Sequence, residues 1–140
     1  MRKNEPITTV MTRDPVTVNL ANKPSDVRRI FTEHRFHHLP VVDGGKLVGI
    51  ISSSDVLRFF ADAWGTDARA LDAAVDATFT LEQWMIPAPR ALAETDTVRD
   101  AVRALSAGTF HAVPITGATG QLVGIVTSTD LLRYLLEQLQ

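Results

Sequence analysis

The chain contains no cysteine in its 140 residues, which excludes disulfide frameworks, thiol nucleophiles and cysteine-based zinc sites together and fits a reduced compartment. Long apolar runs are missing as well. No window approaches the roughly 20 apolar residues of a bilayer span, and Met1 to Met11 carries three charged residues without an apolar stretch of signal-peptide length. The expected setting is therefore cytoplasmic, with no membrane partner. Cationic excess is absent too. Lys and Arg number 14 against 16 Asp and Glu, for a formal net charge of -2, and neither cation clusters, so there is no electrostatic footprint for nucleic acid.

Catalytic signatures are equally scarce. Gly49-Ile50-Ile51-Ser52 lacks the glycine after serine that a nucleophile elbow requires, there is no Gly-Lys-Ser/Thr phosphate loop, and no Ser/His/Asp set stands out. No catalytic residue is expected, and the chain does not read as an enzyme. His34, His37 and His38 invite a metal reading, but neighbouring residues on a strand point to opposite faces, so His37 and His38 are poorly placed to share one ion. No metal site is expected.

What the sequence does have is a duplication. Met11, Pro15, Asp26, Arg29, Phe36-His37 and Pro40 recur as Met85, Pro89, Asp100, Arg103, Phe110-His111 and Pro114 at a constant spacing. The turn Asp43-Gly44-Gly45-Lys46 becomes Gly117-Ala118-Thr119-Gly120-Gln121, one residue longer. Leu47 to Ile50 and Asp55 to Arg58 then match Leu122 to Ile125 and Asp130 to Arg133. An insertion confined to a Gly-rich turn is where a duplication tolerates one.

Each copy reads as β-α-β-β-α. A short strand near Val16-Thr17-Val18, or Arg90-Ala91-Leu92, precedes a helix with the apolar stripe Val27, Ile30 and Phe31, or Val98, Val102 and Leu105. Pro24 suits a first helical turn and Gly108 a helix C-cap. A hairpin follows, Leu39 to Val42 and Leu47 to Ile51 around Asp43-Gly44-Gly45. A last helix starts near Ser53. Between the copies, Ala61 to Thr80 is rich in Ala and Asp, with Leu71, Ala74 and Val75 on one helical face. Ile7 to Met11 and Leu81 to Met85 are each expected to form one turn packing on the other copy, with Thr80 and Glu82 as caps. The boundaries fall at 7–60, a connector at 61–79, and 80–137.

The chemistry concentrates where the last strand turns into the last helix. Backbone N–H groups and the positive end of a helix dipole point outward there and favour an anion. Ser52 with Asp55, and Thr127 with Asp130, place a hydroxyl and a carboxylate at i and i+3, a pair suited to a vicinal diol such as ribose. The same spacing also reads as a capping box that serves the helix alone. Arg58 and Arg133 follow one helical turn later, and read either as phosphate contacts or as solvated helix residues.

Gly49-Ile50-Ile51-Ser52-Ser53-Ser54-Asp55 and Gly124-Ile125-Val126-Thr127-Ser128-Thr129-Asp130, each after a hairpin opening at His37 to Asp43 or His111 to Ile115, resemble the CBS-domain signature. The chain is thus similar to a tandem CBS pair, or Bateman module, of the stand-alone kind. The resemblance implies an α+β fold of two β-α-β-β-α units related by a pseudo-two-fold axis and packed through their sheets. It implies a regulatory module that binds AMP, ADP or ATP in the clefts between the CBS units, or, less favoured, S-adenosylmethionine or a dinucleotide such as NAD. Ser52, Asp55, Thr127 and Asp130 are then the ribose contacts. Thr17, Val18, Leu39, Pro40, Ala91, Leu92, Val113 and Pro114 hold the adenine, and His37, His38, His111, Arg58 and Arg133 face the phosphates. It further implies a homodimer whose helices bury apolar faces and whose packing carries the signal to an unknown regulated protein. The competing reading is an interaction scaffold that binds no nucleotide. Phe59, Phe60, Tyr134, Leu135 and Leu136 read as core or dimer interface.

Overall fold

The computed structural model describes residues 2–60 and 67–140, with the side chains of Leu57 to Phe60 left aside. In chain order the elements are a 3-10 turn at Ile7–Thr9, β1 Thr12–Arg13, β2 Val18–Asn19, α1 Pro24–Glu33, β3 His38–Asp43, β4 Lys46–Ser52, α2 Ser53–Phe60, α3 Ala68–Thr78, α4 Leu81–Trp84, β5 Ile86–Pro87, β6 Leu92–Ala93, α5 Val98–Ser106, β7 Ala112–Thr116, β8 Leu122–Thr127 and α6 Ser128–Leu139. They form two four-stranded sheets and divide into two compact units.

The unit built on the first repeat comprises Val16–Gly44 and Val48–Ala88. Its sheet runs β2-β3-β4-β5. β2 lies parallel to β3, with Val18 opposite Val41, and a parallel pair needs a crossover, which α1 supplies. α1 starts with Pro24 in its first turn, and the Asp26 carboxylate accepts the Lys23 N–H at 2.9 Å. The β3–β4 turn uses Gly44 and Gly45 at φ of 57° and 82°, the left-handed pair that a tight hairpin demands. Val18, Val27, Leu39, Val41, Ile51, Val56, Val75, Leu81 and Trp84 form the core.

The second unit comprises Met1–Pro15, Gly45–Leu47 and Pro89–Gln140. Its sheet runs β1-β8-β7-β6, with β6 parallel to β7 and β1 antiparallel to β8, Thr12 opposite Ile125. Its core is Ile7, Met11, Ala101, Leu105, Val113, Ile115 and Val126. The leading segment of each repeat thus packs with the rest of the other: Ile7 and Met11 complete the second core, Leu81 and Trp84 the first.

Several local readings shift. The short strands sit at Val18–Asn19 and Leu92–Ala93, one or two residues later than the sequence pattern suggests, because pairing with β3 and β7 sets the register. On α5 the buried face is Val98, Ala101, Ala104 and Leu105. Val102 is 45% exposed, since the small alanines, weak signals in the pattern, are the ones that let α5 approach the sheet. Ala74 is exposed on α3, where Val75 is buried and Leu71 packs against the first core. The capping partner of Thr80 is Gln83 rather than Glu82. Gly108 follows the C-cap of α5 at φ 75°. Gly65 and Thr66 lie outside the described residues.

Candidate functional site

Both units carry the same junction. In the second unit Thr127 ends β8 opposite Ala112 and caps α6. The Thr127 N–H and hydroxyl donate to Asp130 Oδ2 at 2.8 and 3.0 Å, and the Asp130 N–H donates to Thr127 Oγ1 at 3.2 Å. Asp130 Oδ1 lies 3.9 Å from Arg133 Nη1. In the first unit the Asp55 N–H donates to Ser52 Oγ at 3.2 Å. The carboxylates of both junctions stand in the first turn of their helices, where the unpaired N–H groups and the dipole favour negative charge.

Two serines that the sequence reading passed over tie the hairpins to these helices. The Ser53 N–H donates to the His37 carbonyl at 2.8 Å and the Ser128 N–H to the His111 carbonyl at 3.0 Å. Ser53 Oγ also lies 3.4 Å from His37 Nδ1, and Ser128 Oγ donates to the His111 carbonyl at 3.4 Å. Their equivalence in the repeat was the available signal. Each tie fixes the main chain of an exposed histidine beside a helix N-terminus.

The remaining expected residues divide. Thr17, Ala91 and Leu92 are half-buried, His38 is half-buried on β3, and Arg133 is 75% exposed on α6. Val18, Leu39 and Val113 are core residues, and Pro40 and Pro114 are fully buried. These five side chains pack into the interior of their units. Arg58, with Phe59 and Phe60, lies outside the described side chains. Leu135 and Leu136 are not core; α6 buries none of its residues. Among the described residues no group of three His, Asp or Glu side chains gathers as a metal site.

A third Thr/Asp pair calibrates the motif. At the start of α5, Thr97 and Asp100 make the same reciprocal bonds, 2.9 Å from the Thr97 N–H to Asp100 Oδ2 and 3.3 Å from the Asp100 N–H to Thr97 Oγ1. The Thr97 N–H, followed by its hydroxyl, holds the Asp100 carboxyl below its ordinary value. The box alone is therefore a helix cap. What sets Ser52/Asp55 and Thr127/Asp130 apart is the strand end and the tethered histidine.

A duplicated α+β chain with the same polar junction at the end of each last strand defines a class of paired-domain proteins. The chain belongs to the CBS domain family, whose model matches residues 7–62 and 81–137. Protein MJ1225 of Methanocaldococcus jannaschii is 27% identical over 133 residues, covering 94% of this chain and 48% of that protein. The crystal structure of the CBS domain pair of protein MJ0100, in complex with 5′-methylthioadenosine and S-adenosyl-L-methionine, superposes at TM-score 0.78 with 26% identity, covering 96% of this chain and 98% of that one. The structure of CBSX2 with AMP superposes at TM-score 0.80 with 24% identity over 97% of this chain and 99% of that one, a likeness of fold; CBSX2 is from Arabidopsis thaliana. This chain spans about half the length, or less, of the first curated relatives it matches.

Proposed function

We propose that this chain is a regulatory module that binds an adenosine-containing ligand at the Ser52–Asp55 and Thr127–Asp130 junctions. The observation that carries the reading is the convergence, in both units, of a hydroxyl–carboxylate pair with a tethered histidine at the N-terminus of the last helix. The 26% identity to the MJ0100 pair, solved with 5′-methylthioadenosine and S-adenosyl-L-methionine, supports an adenosine moiety. The diol of its ribose suits the two carboxylates. Thr17, Ala91 and Leu92, half-buried, are the most accessible of the residues expected to contact the base. His37, His111 and Arg133, exposed on or beside the last helices, favour AMP, ADP or ATP over 5′-methylthioadenosine, a thioether, and S-adenosylmethionine, a sulfonium, neither of which carries a phosphate. Binding biases the module only by its differential affinity for two arrangements, and couples in this way to a regulated protein.

Thermal unfolding with AMP, ADP, ATP, 5′-methylthioadenosine and S-adenosylmethionine tests this. A ligand at ten times its Kd raises the midpoint by roughly 5 °C. Asp55→Ala and Asp130→Ala together abolish the shift. A shift that survives the double substitution removes the ribose assignment, and no shift from any compound at millimolar concentration removes the sensing reading. The interaction-scaffold reading is favoured by one observation: Leu132, Leu135, Leu136 and Leu139 form an exposed stripe on α6. A homodimer formed through apolar helix faces belongs to either reading, and light scattering on the purified chain tests it.

A further inference from the structure

Four helices carry an aspartate as their third residue: Asp26 in α1, Asp55 in α2, Asp100 in α5 and Asp130 in α6. Three of these carboxylates turn back on their own chain. Asp26 accepts the Lys23 N–H at 2.9 Å, Asp100 the Thr97 N–H at 2.9 Å and Asp130 the Thr127 N–H at 2.8 Å. Asp100 and Asp130 take the threonine hydroxyl as well, at 2.9 and 3.0 Å. Asp55 is the exception. Among the described residues no donor reaches its carboxylate, and its bond at the junction is made by its N–H, to Ser52 Oγ at 3.2 Å.

The difference changes what each junction presents to a diol. An ionised carboxylate only accepts, through about four lone-pair positions. At Asp130, Oδ2 takes two donors, Oδ1 lies 3.9 Å from Arg133 Nη1, and the Thr127 hydroxyl already donates its hydrogen to the carboxylate. Thr97 and Asp100 make the same closed box at a helix with no strand-end junction, so capping alone accounts for the bonds of Asp130. A ribose at that junction competes with the cap of α6. At Asp55 both oxygens are open among the described residues, and the Ser52 hydroxyl accepts the Asp55 N–H while its own hydrogen goes to none of them. Ser52 and Asp55 are half-buried, a setting in which charge-assisted bonds to the hydroxyls of a ligand are strengthened.

We infer that the two junctions are unequal, with Ser52–Asp55 the principal ribose site and Thr127–Asp130 a weaker one that fills second. The inference rests on the ligand reading above and adds to it an order of occupancy. A ligand at the first junction gains two hydroxyl-to-carboxylate bonds without breaking any within the chain. At the second junction each bond to Asp130 is offset by one loosened at the start of α6, and unmaking a bond to a charged group costs more than a neutral one. Asp55 therefore serves the ligand, and Asp130 serves the helix first.

The test is calorimetric titration of the full chain with AMP and 5′-methylthioadenosine, which share the ribose diol, and with 2′-deoxy-AMP, which lacks it. The wild type is expected to show a tight step and a second step about tenfold or more weaker. The tight step weakens about tenfold more in Asp55→Asn than in Asp130→Asn. Stability responds in the reverse order. Asp130→Asn removes a bonded cap and lowers the unfolding midpoint by about 4 °C, and Asp55→Asn lowers it by about half of that or less. Loss of the 2′-hydroxyl weakens the tight step about tenfold in the wild type and less than about twofold in Asp55→Asn, a coupling that a general loss of structure does not produce. Two equal steps, a tight step weakened more by Asp130→Asn, or a 2′-hydroxyl preference retained in Asp55→Asn overturns the inference and leaves the ligand reading standing. Failure of both diol-bearing compounds to bind overturns the two together.

Discussion

Gly49 and Gly124 sit under the methionines that precede the edge strands. A Cβ built on Gly124 would lie 2.7 Å from Met11 Sδ and 2.9 Å from the Thr12 carbonyl oxygen. On Gly49 its three nearest neighbours would all be atoms of the Met85 side chain. A side chain can move aside where a paired backbone cannot. Gly124→Ala is therefore expected to destabilise by about 2 kcal/mol and Gly49→Ala by about half as much in urea unfolding, within the usual range for overpacking. Met11 and Met85 were visible in the sequence as repeat partners, but the reason each repeat keeps a glycine opposite them was not, because the contact joins residues far apart in the chain. At the same scale Ala88 holds φ 44°, a conformation that costs an L residue roughly 1–2 kcal/mol. Ala88→Gly is expected to stabilise slightly, by about 0.5 kcal/mol once the added freedom of the unfolded chain is set against the relief.

At the scale of elements, the helix starts divide between local and borrowed caps. α5 is capped by its own Thr97 and Asp100, whereas the Ser25 N–H in the first turn of α1 is satisfied by Asp76 of α3. Asp76→Ala removes a charged acceptor from a partly exposed site and is expected to cost about 1–2 kcal/mol, with faster amide exchange in both α3 and the first turn of α1. Exchange confined to α3 would show that α1 does not depend on the connector. The carboxyls of Asp26 and Asp100 both lie below their ordinary value, in each case chiefly through the main-chain N–H they accept, from Lys23 and Thr97. A lowered folded value contributes stability that is full above the unfolded value of 3.8 and is lost as pH falls through the folded one. The wild type should therefore lose stability below about pH 4 more steeply than the Asp26→Asn/Asp100→Asn variant, as acid-dependent thermal melts would measure. The box at Asp130 was readable from spacing; the borrowed cap was not, since Asp76 lies in the connector between the repeats.

On the scale of the whole molecule, sequence repeat and spatial unit do not coincide. The core of the second unit contains Ile7 and Met11, and its sheet ends in β1, all contributed by the leading segment of the first repeat. A fragment of residues 80–140 is expected to show little cooperative unfolding by circular dichroism, because it lacks two large core side chains and an edge strand. Joining residues 1–15 to residues 89–140 through a flexible linker should recover a cooperative transition. If the 80–140 fragment unfolds cooperatively with native-like stability, the leading segment is not part of that unit's core.

The sequence by itself determined the duplication, the type and order of most elements, and the two hydroxyl–carboxylate junctions. These are written in local spacing: a helical stripe, a glycine turn, a pair at i and i+3. Tertiary structure alone decided that Val18, Leu39 and Val113 are buried in the cores, that Val102 faces outward, and that each leading segment closes the sheet of the other repeat. Such outcomes depend on which distant surface a side chain or strand edge meets. Burial and pairing are properties of two segments at once, and a local pattern describes only one of them.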